Sequence, residues 1–241
     1  MMKKIAVIVP AYNEEKSITS VVNDINTLDL GKDFKITVVV VNDCSQDNTS
    51  EIVSELNCIL LDLPINLGIG GAVQAGFIYA YDNGFDFAMQ VDGDGQHPPD
   101  EIPKLVHAII GKNIDVVIGS RFLEKSGFKS TFSRRLGINF FRHLLWLFCH
   151  ITITDSTSGF RIINRRTLEI VCENYPDEYP EPESIILYHR HHLTIGEVAV
   201  GMRERQGGVS SIRMFTSLYY MLKVSVAIFF TFIRYRNKKL K

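Results

Sequence analysis

The sequence predicts an α/β fold, a mostly parallel sheet with helices on both faces. Three observations carry that expectation. Short apolar runs rich in β-branched residues recur through the first half of the chain, as buried parallel strands do. Segments with helical apolar spacing separate them. Carboxylates, glycines and prolines cluster just after the runs, where the strands of such a sheet end and its ligands bind.

Taken in order, KIAVIVP (4–10) reads as the first buried strand, and EEKSITSVVNDINTL (14–28) as a helix with Ile18, Val21, Val22, Ile25 and Leu28 on one face. KITVVVVND (35–43) is the second strand, and residues 47–56 a helix with Asp47 as its N-cap. CILLDL (58–63) is the third strand, and GGAVQAGFIYAYDNG (70–84) a helix ending near Gly84. FDFAMQV (85–91) is the fourth strand; Pro98 and Pro99 mark the next helix start, and IDVVIGS (114–120) is the fifth strand. After Arg121 the pattern changes. A loop (122–133) leads to an apolar helix, INFFRHLLWLFCHITI (138–153), then to the polar DSTSGFR (155–161) and a helix near 165–174. The Pro/Glu-rich YPDEYPEPES (175–184), a last strand LTIGEVAV (193–200) and a Gly/Ser loop RERQGGVSS (203–211) follow. Residues 1–121 and 122–212 are expected to be two halves of one domain, and 213–241 a C-terminal helix.

Hydrophobic residues make up 46% of the 241, enough for a substantial core. The net charge of −1 argues against nucleic acid as a partner. The last eight residues, RYRNKKLK, hold five positive charges and no negative one. Before them, MFTSLYYMLKVSVAIFFTFI (214–233) carries one charge, Lys223. As a helix it would be roughly 30 Å long, yet a single span would put the basic tail on the disfavoured side. A helix lying in the membrane interface, its tail on anionic headgroups, fits better. The four cysteines show no CxxC spacing and read as thiols of a reducing compartment. The N-terminal apolar run is stopped by Pro10 and is not a signal peptide. The expected location is cytoplasmic, peripheral to the inner face of the cell membrane.

The most informative run is VDGDGQHPPDEIPKL (91–105). Asp92 and Asp94 follow a strand, and Gly93 and Gly95 let the backbone turn so that both carboxylates reach one point. Such a pair offers hard oxygen ligands to a divalent cation and leaves room for phosphate. Gln96 can add a carbonyl oxygen; His97 is a weaker candidate. The run is no EF-hand, because His97 stands where that loop needs glycine. In VNDCSQDNT (41–49), Asp43 emerges at a strand end, where a carboxylate can accept a base N–H. Glu14, in PAYNEE (10–15), can bind ribose hydroxyls or complement a helix dipole. NLGIGGAVQAGF (66–77), with Gly71, lacks the dinucleotide fingerprint, since Val73 stands where the third glycine is required. It either brings the backbone close to a nucleotide or starts a close-packed helix.

PAYNEE, VNDCSQDNT, NLGIGGAVQAG, VDGDGQHPPDEIPKL, IGSRF and DSTSGFR occur in the order seen in family 2 glycosyltransferases. Over about residues 3–212 the chain resembles the polyprenyl-phosphate sugar synthases, the dolichyl-phosphate mannose synthase type. The resemblance implies a GT-A fold with a Rossmann-like sheet, a UDP- or GDP-sugar donor, a divalent metal (Mn²⁺ or Mg²⁺) and inversion at the anomeric carbon. By position it assigns Asp92, Asp94 and Gln96 to the metal and Asp43 to the base. Pro10, Tyr12 and Glu14, with Gly71 and Gly93, go to the nucleotide-sugar pocket. Arg205, in RQGGVS, goes to the donor diphosphate with Ser210 closing that run. Arg121 and Arg134 or Arg135 go to an acceptor phosphate. Asn42 stands where many relatives carry a second aspartate.

The nucleophile separates two readings. A phosphomonoester is largely ionised at neutral pH and needs cations, not a base. A sugar hydroxyl needs a carboxylate base, for which Asp155 is the first candidate and Glu183 the second; Asp155 has a structural reading as a partner for Arg161. The favoured expectation is transfer to a lipid-linked acceptor, undecaprenyl phosphate foremost, in cell-surface glycan synthesis. The alternatives are transfer to a hydroxyl of a growing polysaccharide and, in a different class, a nucleotide-sugar binding protein without turnover. The membrane surface, a second copy of the chain or a small membrane protein complete the expected partners.

Overall fold

The computed structural model describes residues 2–123, 132–203 and 223–233, with 132–139 as backbone only. Among these, β1 (Lys3–Ala11), β2 (Phe34–Asn42), β3 (Ile59–Asp62), β4 (Phe87–Gln90), β5 (Val116–Ser120), β6 (Arg161–Asn164) and β7 (Ile195–Ala199) form one sheet in the order β3-β2-β1-β4-β6-β5-β7. All neighbours run parallel except β6, which is antiparallel to both β4 and β5.

Alternation along the strands sends side chains to two cores. Ile5, Val7 and Val9 of β1, with Val38 and Val40 of β2, face α1 (Ile18–Asn26), α2 (Thr49–Ser54) and α4 (Ile102–Gly111). Ala6, Ile8, Val39 and Val41 face the other way, toward α3 (Gly68–Asp82), α6 (Arg165–Asn174) and α7 (Pro180–Arg190). Each of these valines and isoleucines is at most 1% exposed, and burying one stabilises the fold by roughly 1.5–3 kcal/mol. On the second face a further layer is added by α5 (Phe132–Cys149) and by a helix over 223–233, named α8. Leu145 of α5 and Val224 and Ile228 of α8 are fully buried there, and Phe148 packs on Phe232 at 5.1 Å.

Two elements differ from the sequence expectation. The end of the SGFR segment becomes β6, four residues in which only Ile162 and Ile163 are apolar. The Pro/Glu-rich segment, to which the sequence reading gives no element, starts α7. Pro180 occupies its first turn, where no N–H is needed, and Glu181 and Glu183 complement the dipole. Burial of Ile185, Ile186, Leu187 and Tyr188 then holds it. All four cysteines are free thiols, and burial pushes Cys149 up to about 11 against the opposing pull of Arg190.

Candidate active site

The site lies beyond the carboxyl ends of β1, β2 and β4. Parallel pairing sets Ala11 beside Asn42, and the Asp43 N–H continues the ladder to the Ala11 carbonyl at 2.9 Å. The loops that follow are laced together. The Asn13 N–H donates to Ser45 Oγ and the Gln46 N–H to Asn13 Oδ1, while the Glu14 N–H donates to Thr49 Oγ1. Asn13 and Cys44 take left-handed backbone, at φ 57° and 58°, to make the turns. Asp47 receives the Thr49 N–H at 3.0 Å and the Glu15 N–H at 3.2 Å. Burial pushes its carboxyl up, but hydrogen bonds from Thr49 and Glu15 outweigh that and hold it below its usual value. It caps the turn into α2, although the N-cap position itself is Asn48. Glu14 precedes α1 and accepts from Ser17 Oγ at 2.8 Å, so it does not sit in a helical first turn.

Asp43 is 4% exposed, and its two carboxylate oxygens accept the N–H groups of Leu67 (2.7 Å) and Gly68 (2.9 Å). It therefore fixes the start of α3 while facing the cavity, with acceptor capacity left on each oxygen. Two glycines of the glycine-rich segment serve close packing, while its start reaches the cavity. A Cβ on Gly70 would run into the backbone carbonyls of Pro176 and Asp177, and one on Gly76 into Ile8. Gly71 faces Leu67 of its own turn and does not line the cavity; Gly68, Ile69 and Ala72 do.

Asp92 and Asp94 stand beside the end of β1. A Cβ on Gly93 would lie 3.0 Å from the Pro10 carbonyl, and Gly95 turns at φ 75°. Asp92 is held from three sides: Gln90 Nε2 donates to its Oδ1 at 3.0 Å, its own N–H donates to His97 Nδ1 at 3.1 Å, and Gly159 closes on it so tightly that a Cβ there would be 3.1 Å from Oδ1. His97 is buried and stacks on Phe160 at 4.9 Å, so it positions the turn. Asp94 accepts the Gln96 N–H at 2.9 Å. The Gln96 carbonyl accepts the Arg203 N–H at 3.0 Å, and Gln96 is not part of the cavity wall.

These elements enclose a cavity of about 630 Å³ lined by residues 10–14, Asp43, Asn66, Gly68, Ile69, Ala72, residues 92–94 and Glu181. Pro10, Tyr12, Glu14, Asp43, Asp92, Gly93 and Asp94 thus meet in one place. Its size and mixed lining suit a ligand larger than a simple sugar. Two carboxylates match the habit of Mg²⁺ and Mn²⁺, which take one or two from the protein and complete their shell with phosphate and water. Among the described residues no group of three or more His, Cys, Asp and Glu is set to hold an ion alone.

The second half of the chain arranges its charges differently from expectation. Asp155 is fully buried and pairs with Arg121, not Arg161: Nε reaches Oδ2 at 2.5 Å and Nη2 reaches Oδ1 at 2.6 Å. Arg161 instead donates to the carbonyls of Ser156 and Ser158 and to Ser184 Oγ, tying the loop to α7. Glu197 of β7 accepts the N–H groups of Thr154 and Asp155 and so holds the loop from below. Glu183 does not line the cavity; its Oε2 accepts from Thr231 Oγ1 of α8 at 2.8 Å. Burial raises its pKa. Arg205 and Ser210 lie outside the described residues, as do the side chains of Arg134 and Arg135 on the first turn of α5.

Residues 6–171 match the model of glycosyl transferase family 2. The chain belongs to that family. Among its relatives is the UDP-N-acetylglucosamine–dolichyl-phosphate N-acetylglucosaminyltransferase of Methanococcus voltae, 32% identical over 218 residues, 82% of this chain and 85% of the relative. Another is the polyprenol monophosphomannose synthase of Mycolicibacterium smegmatis, 27% identical over 86% of this chain and 80% of the relative. In fold, the glycosyltransferase superposes on glucosyl-3-phosphoglycerate synthase from Mycobacterium tuberculosis, solved with Mn²⁺, UDP-glucose and phosphoglyceric acid. The TM-score is 0.70 at 21% identity, covering 97% of this chain and 79% of that one. The GT-A fold is thereby shown.

Three residues that line or support this candidate site are not evident from the sequence. Gln90 carries a signal, a lone amide in an otherwise apolar strand two residues before Asp92. Gly159 lies inside the DSTSGFR motif, but nothing in the motif says what it touches. Glu181 is less prominent than Glu183, because nothing local to YPEPES says which carboxylate faces the cavity.

Proposed function

We propose that this glycosyltransferase moves a sugar from a nucleoside-diphosphate donor to a polyprenyl phosphate, with inversion and with Mn²⁺ or Mg²⁺ bound at Asp92 and Asp94. The observation that carries the reading is the convergence of Asp43, Asp92 and Asp94 on one cavity at the strand ends. Asp43 reads the base, Tyr12 and Glu14 flank the nucleoside, and Asp92, fixed by Gln90 and His97, presents its carboxylate to the diphosphate end. The cation, when bound, offsets the charge gained by the leaving diphosphate. Arg205 adds charge-assisted hydrogen bonds to the same oxygens. It is two residues from Arg203, whose N–H is anchored on Gln96.

Two features favour a phosphate acceptor over a hydroxyl. Neither carboxylate considered as a base is placed for it, since Asp155 has both oxygens on Arg121 and Glu183 turns to α8. An ionised phosphomonoester needs no base, only cations, and Arg134 and Arg135 are the proposed holders; Arg121, expected to share that task, is buried on Asp155 and Thr157 instead. Three named relatives act on dolichyl, polyprenyl or undecaprenyl phosphate, the last being the undecaprenyl-phosphate mannosyltransferase of Micrococcus luteus.

A lipid acceptor requires a membrane-facing surface, and α5 and α8 supply a candidate. Trp146, Leu147, Phe229 and Phe230 are 53%, 62%, 45% and 63% exposed on these adjoining helices. Among the described residues no helix is long and apolar enough to cross a membrane. The exposed apolar face of α5 and α8 supports placement on the cytoplasmic surface of the inner membrane, with the basic 234–241 segment directed to anionic headgroups.

The test is transfer of labelled sugar from UDP-glucose, UDP-N-acetylglucosamine and GDP-mannose, each with Mn²⁺, to undecaprenyl phosphate. The expected product is a sugar–phosphate lipid. Transfer to a glycan hydroxyl with none to the lipid phosphate would overturn the acceptor assignment.

A further inference from the structure

Among the described residues, the cavity contains one carboxylate to which neither base, nucleoside nor metal binding gives a task. Glu181 sits on the first turn of α7, half-buried, and lines the same cavity as Asp92, Gly93 and Asp94. No other described residue donates a hydrogen bond to its carboxylate; the nearby Arg161 uses its guanidinium on Ser156, Ser158 and Ser184. Glu183, two residues on, turns the opposite way to Thr231. Two glutamates on one turn thus have different tasks, one in packing and one facing the cavity.

The wall behind Glu181 is built to keep it there. Gly70 lets the 176–177 backbone press against the first turn of α3. Ser184 Oγ donates to the Glu181 carbonyl at 3.1 Å and accepts from Arg161 Nη1 at 2.6 Å, so the first turn of α7 is tied to the loop before β6. A helix turn held by such support fixes the direction from which the Glu181 side chain meets a ligand.

We propose that Glu181 reads the sugar ring of the donor, its carboxylate accepting hydrogen bonds from ring hydroxyls. This rests on the proposed nucleotide-sugar reading and deepens it. The charge of the surroundings selects the partner. A carboxylate lining the same cavity as Asp92 and Asp94 repels the diphosphate and the ionised acceptor phosphate. The neutral donor groups left in a nucleotide sugar are the base, which Asp43 serves, and the hydroxyls of the ring. One carboxylate can accept from two vicinal hydroxyls at once. A half-buried carboxylate gains from a hydroxyl donor and penalises a sugar that lacks one.

The experiment is a cycle between protein and donor. With undecaprenyl phosphate as acceptor, kcat/KM is measured for the best donor among UDP-glucose, UDP-N-acetylglucosamine and GDP-mannose, and for its 3-deoxy and 4-deoxy analogues. Wild type is compared with Glu181→Gln and Glu181→Ala, and the Kd of the matching nucleoside diphosphate with Mn²⁺ is measured by calorimetry. Glu181→Ala is expected to lower kcat/KM for the full donor about tenfold to a hundredfold, the range for a hydrogen bond to a charged group. The diphosphate Kd should stay unchanged. At least one deoxy analogue, poor for wild type, should lose nothing further in the variant. Glu181→Gln should fall between, since its amide keeps one acceptor. The inference is overturned if every deoxy analogue loses the same factor in Glu181→Ala as the full donor, or if diphosphate affinity falls in parallel. A wild-type protein that transfers none of these sugars sinks the functional reading and this inference with it. A working wild type whose variants keep its selectivity sinks this inference alone.

Discussion

Arg121 and Asp155 meet through two nearly parallel hydrogen bonds, 2.5 and 2.6 Å long, in a place where neither side chain exceeds 5% exposure. The Arg121 N–H adds a third contact to Asp155 Oδ2 at 3.1 Å, so the end of β5 and the loop before β6 are locked by one carboxylate. Removing one partner of a buried pair strands the other charge and typically costs about 3–5 kcal/mol. Asp155→Asn is therefore expected to lower the thermal midpoint by on the order of 10 °C. Circular dichroism melting checks this. If the variant melts like wild type yet transfers no sugar, Asp155 acts in chemistry and the lock is secondary.

Asp92 and Asp94 are expected to act through the cation. In thermal-shift assays, a diphosphate at about 100 times its Kd stabilises the fold by about 2.7 kcal/mol. With Mn²⁺ present, wild type should show this gain with UDP or GDP. Asp92→Asn and Asp94→Asn should abolish the part that needs metal, and a chelator should do the same to wild type. A gain that survives both substitutions would remove the metal from these residues.

Much of this architecture is legible in the sequence because the residues concerned answer to local rules. Ile5 through Val9 and Val38 through Val41 are buried on both faces, so the strands read as unbroken apolar runs, and α1 shows its stripe at Ile18, Val21, Val22 and Ile25. Asp43, Asp92 and Asp94 stand out because a strand end followed by a turn is itself a local pattern. What stays hidden depends on residues far apart in sequence. The pairing of Asp155 with Arg121 spans 34 positions, and the meeting of Glu183 with Thr231 spans 48. Whether Glu181 or Glu183 faces the cavity is set by how α7 is rotated against α8, which no window around YPEPES contains. β6 is held by its neighbours β4 and β5, and its two apolar residues, Ile162 and Ile163, between Arg161 and Asn164 form no run to read.

Gly70 tests the close approach of α3 to the 176–177 backbone. A methyl group there has no room, since both carbonyls in its way belong to the main chain. Gly70→Ala should destabilise the protein by about 1–3 kcal/mol, the usual cost of overpacking. Urea unfolding should show the midpoint fall with the slope kept. Gly84→Ala makes a comparison without a steric clash: a Cβ added there would meet nothing within 4 Å, so any loss arises from the left-handed backbone at φ 69°.

Glu183 gives the pH dependence a sign. Its folded pKa lies above the ordinary 4.5, raised first by burial and further by Glu178 and Asp177, with the Thr231 hydroxyl pulling it down. The folded state thus holds this proton more tightly than the unfolded chain. Stability from this group is present below the unfolded value and is lost as pH rises through the folded one. Glu183→Gln keeps an acceptor for Thr231 and removes the buried charge. The variant should melt higher than wild type at about pH 7.5, and the gap should close toward about pH 4.5. An unchanged or lower midpoint at the higher pH would show that the carboxylate is well compensated where it lies.

The face of α5 and α8 makes the last prediction. Leu147 and Phe230 are its most exposed members, at 62% and 63%. If both insert into lipid, each contributes roughly 1.5–3 kcal/mol to binding. Leu147→Glu with Phe230→Glu should then weaken co-sedimentation with anionic vesicles by about 100-fold or more. Neither side chain belongs to a buried core, so the melting midpoint should hold. Transfer to a short, water-soluble polyprenyl phosphate should also survive, because that acceptor no longer has to be drawn from a bilayer. Raising the salt concentration should weaken wild-type binding as headgroup attraction is screened, and the glutamate variant should lose most of what remains. Vesicle binding that is indifferent to both substitutions would move the membrane contact away from this face.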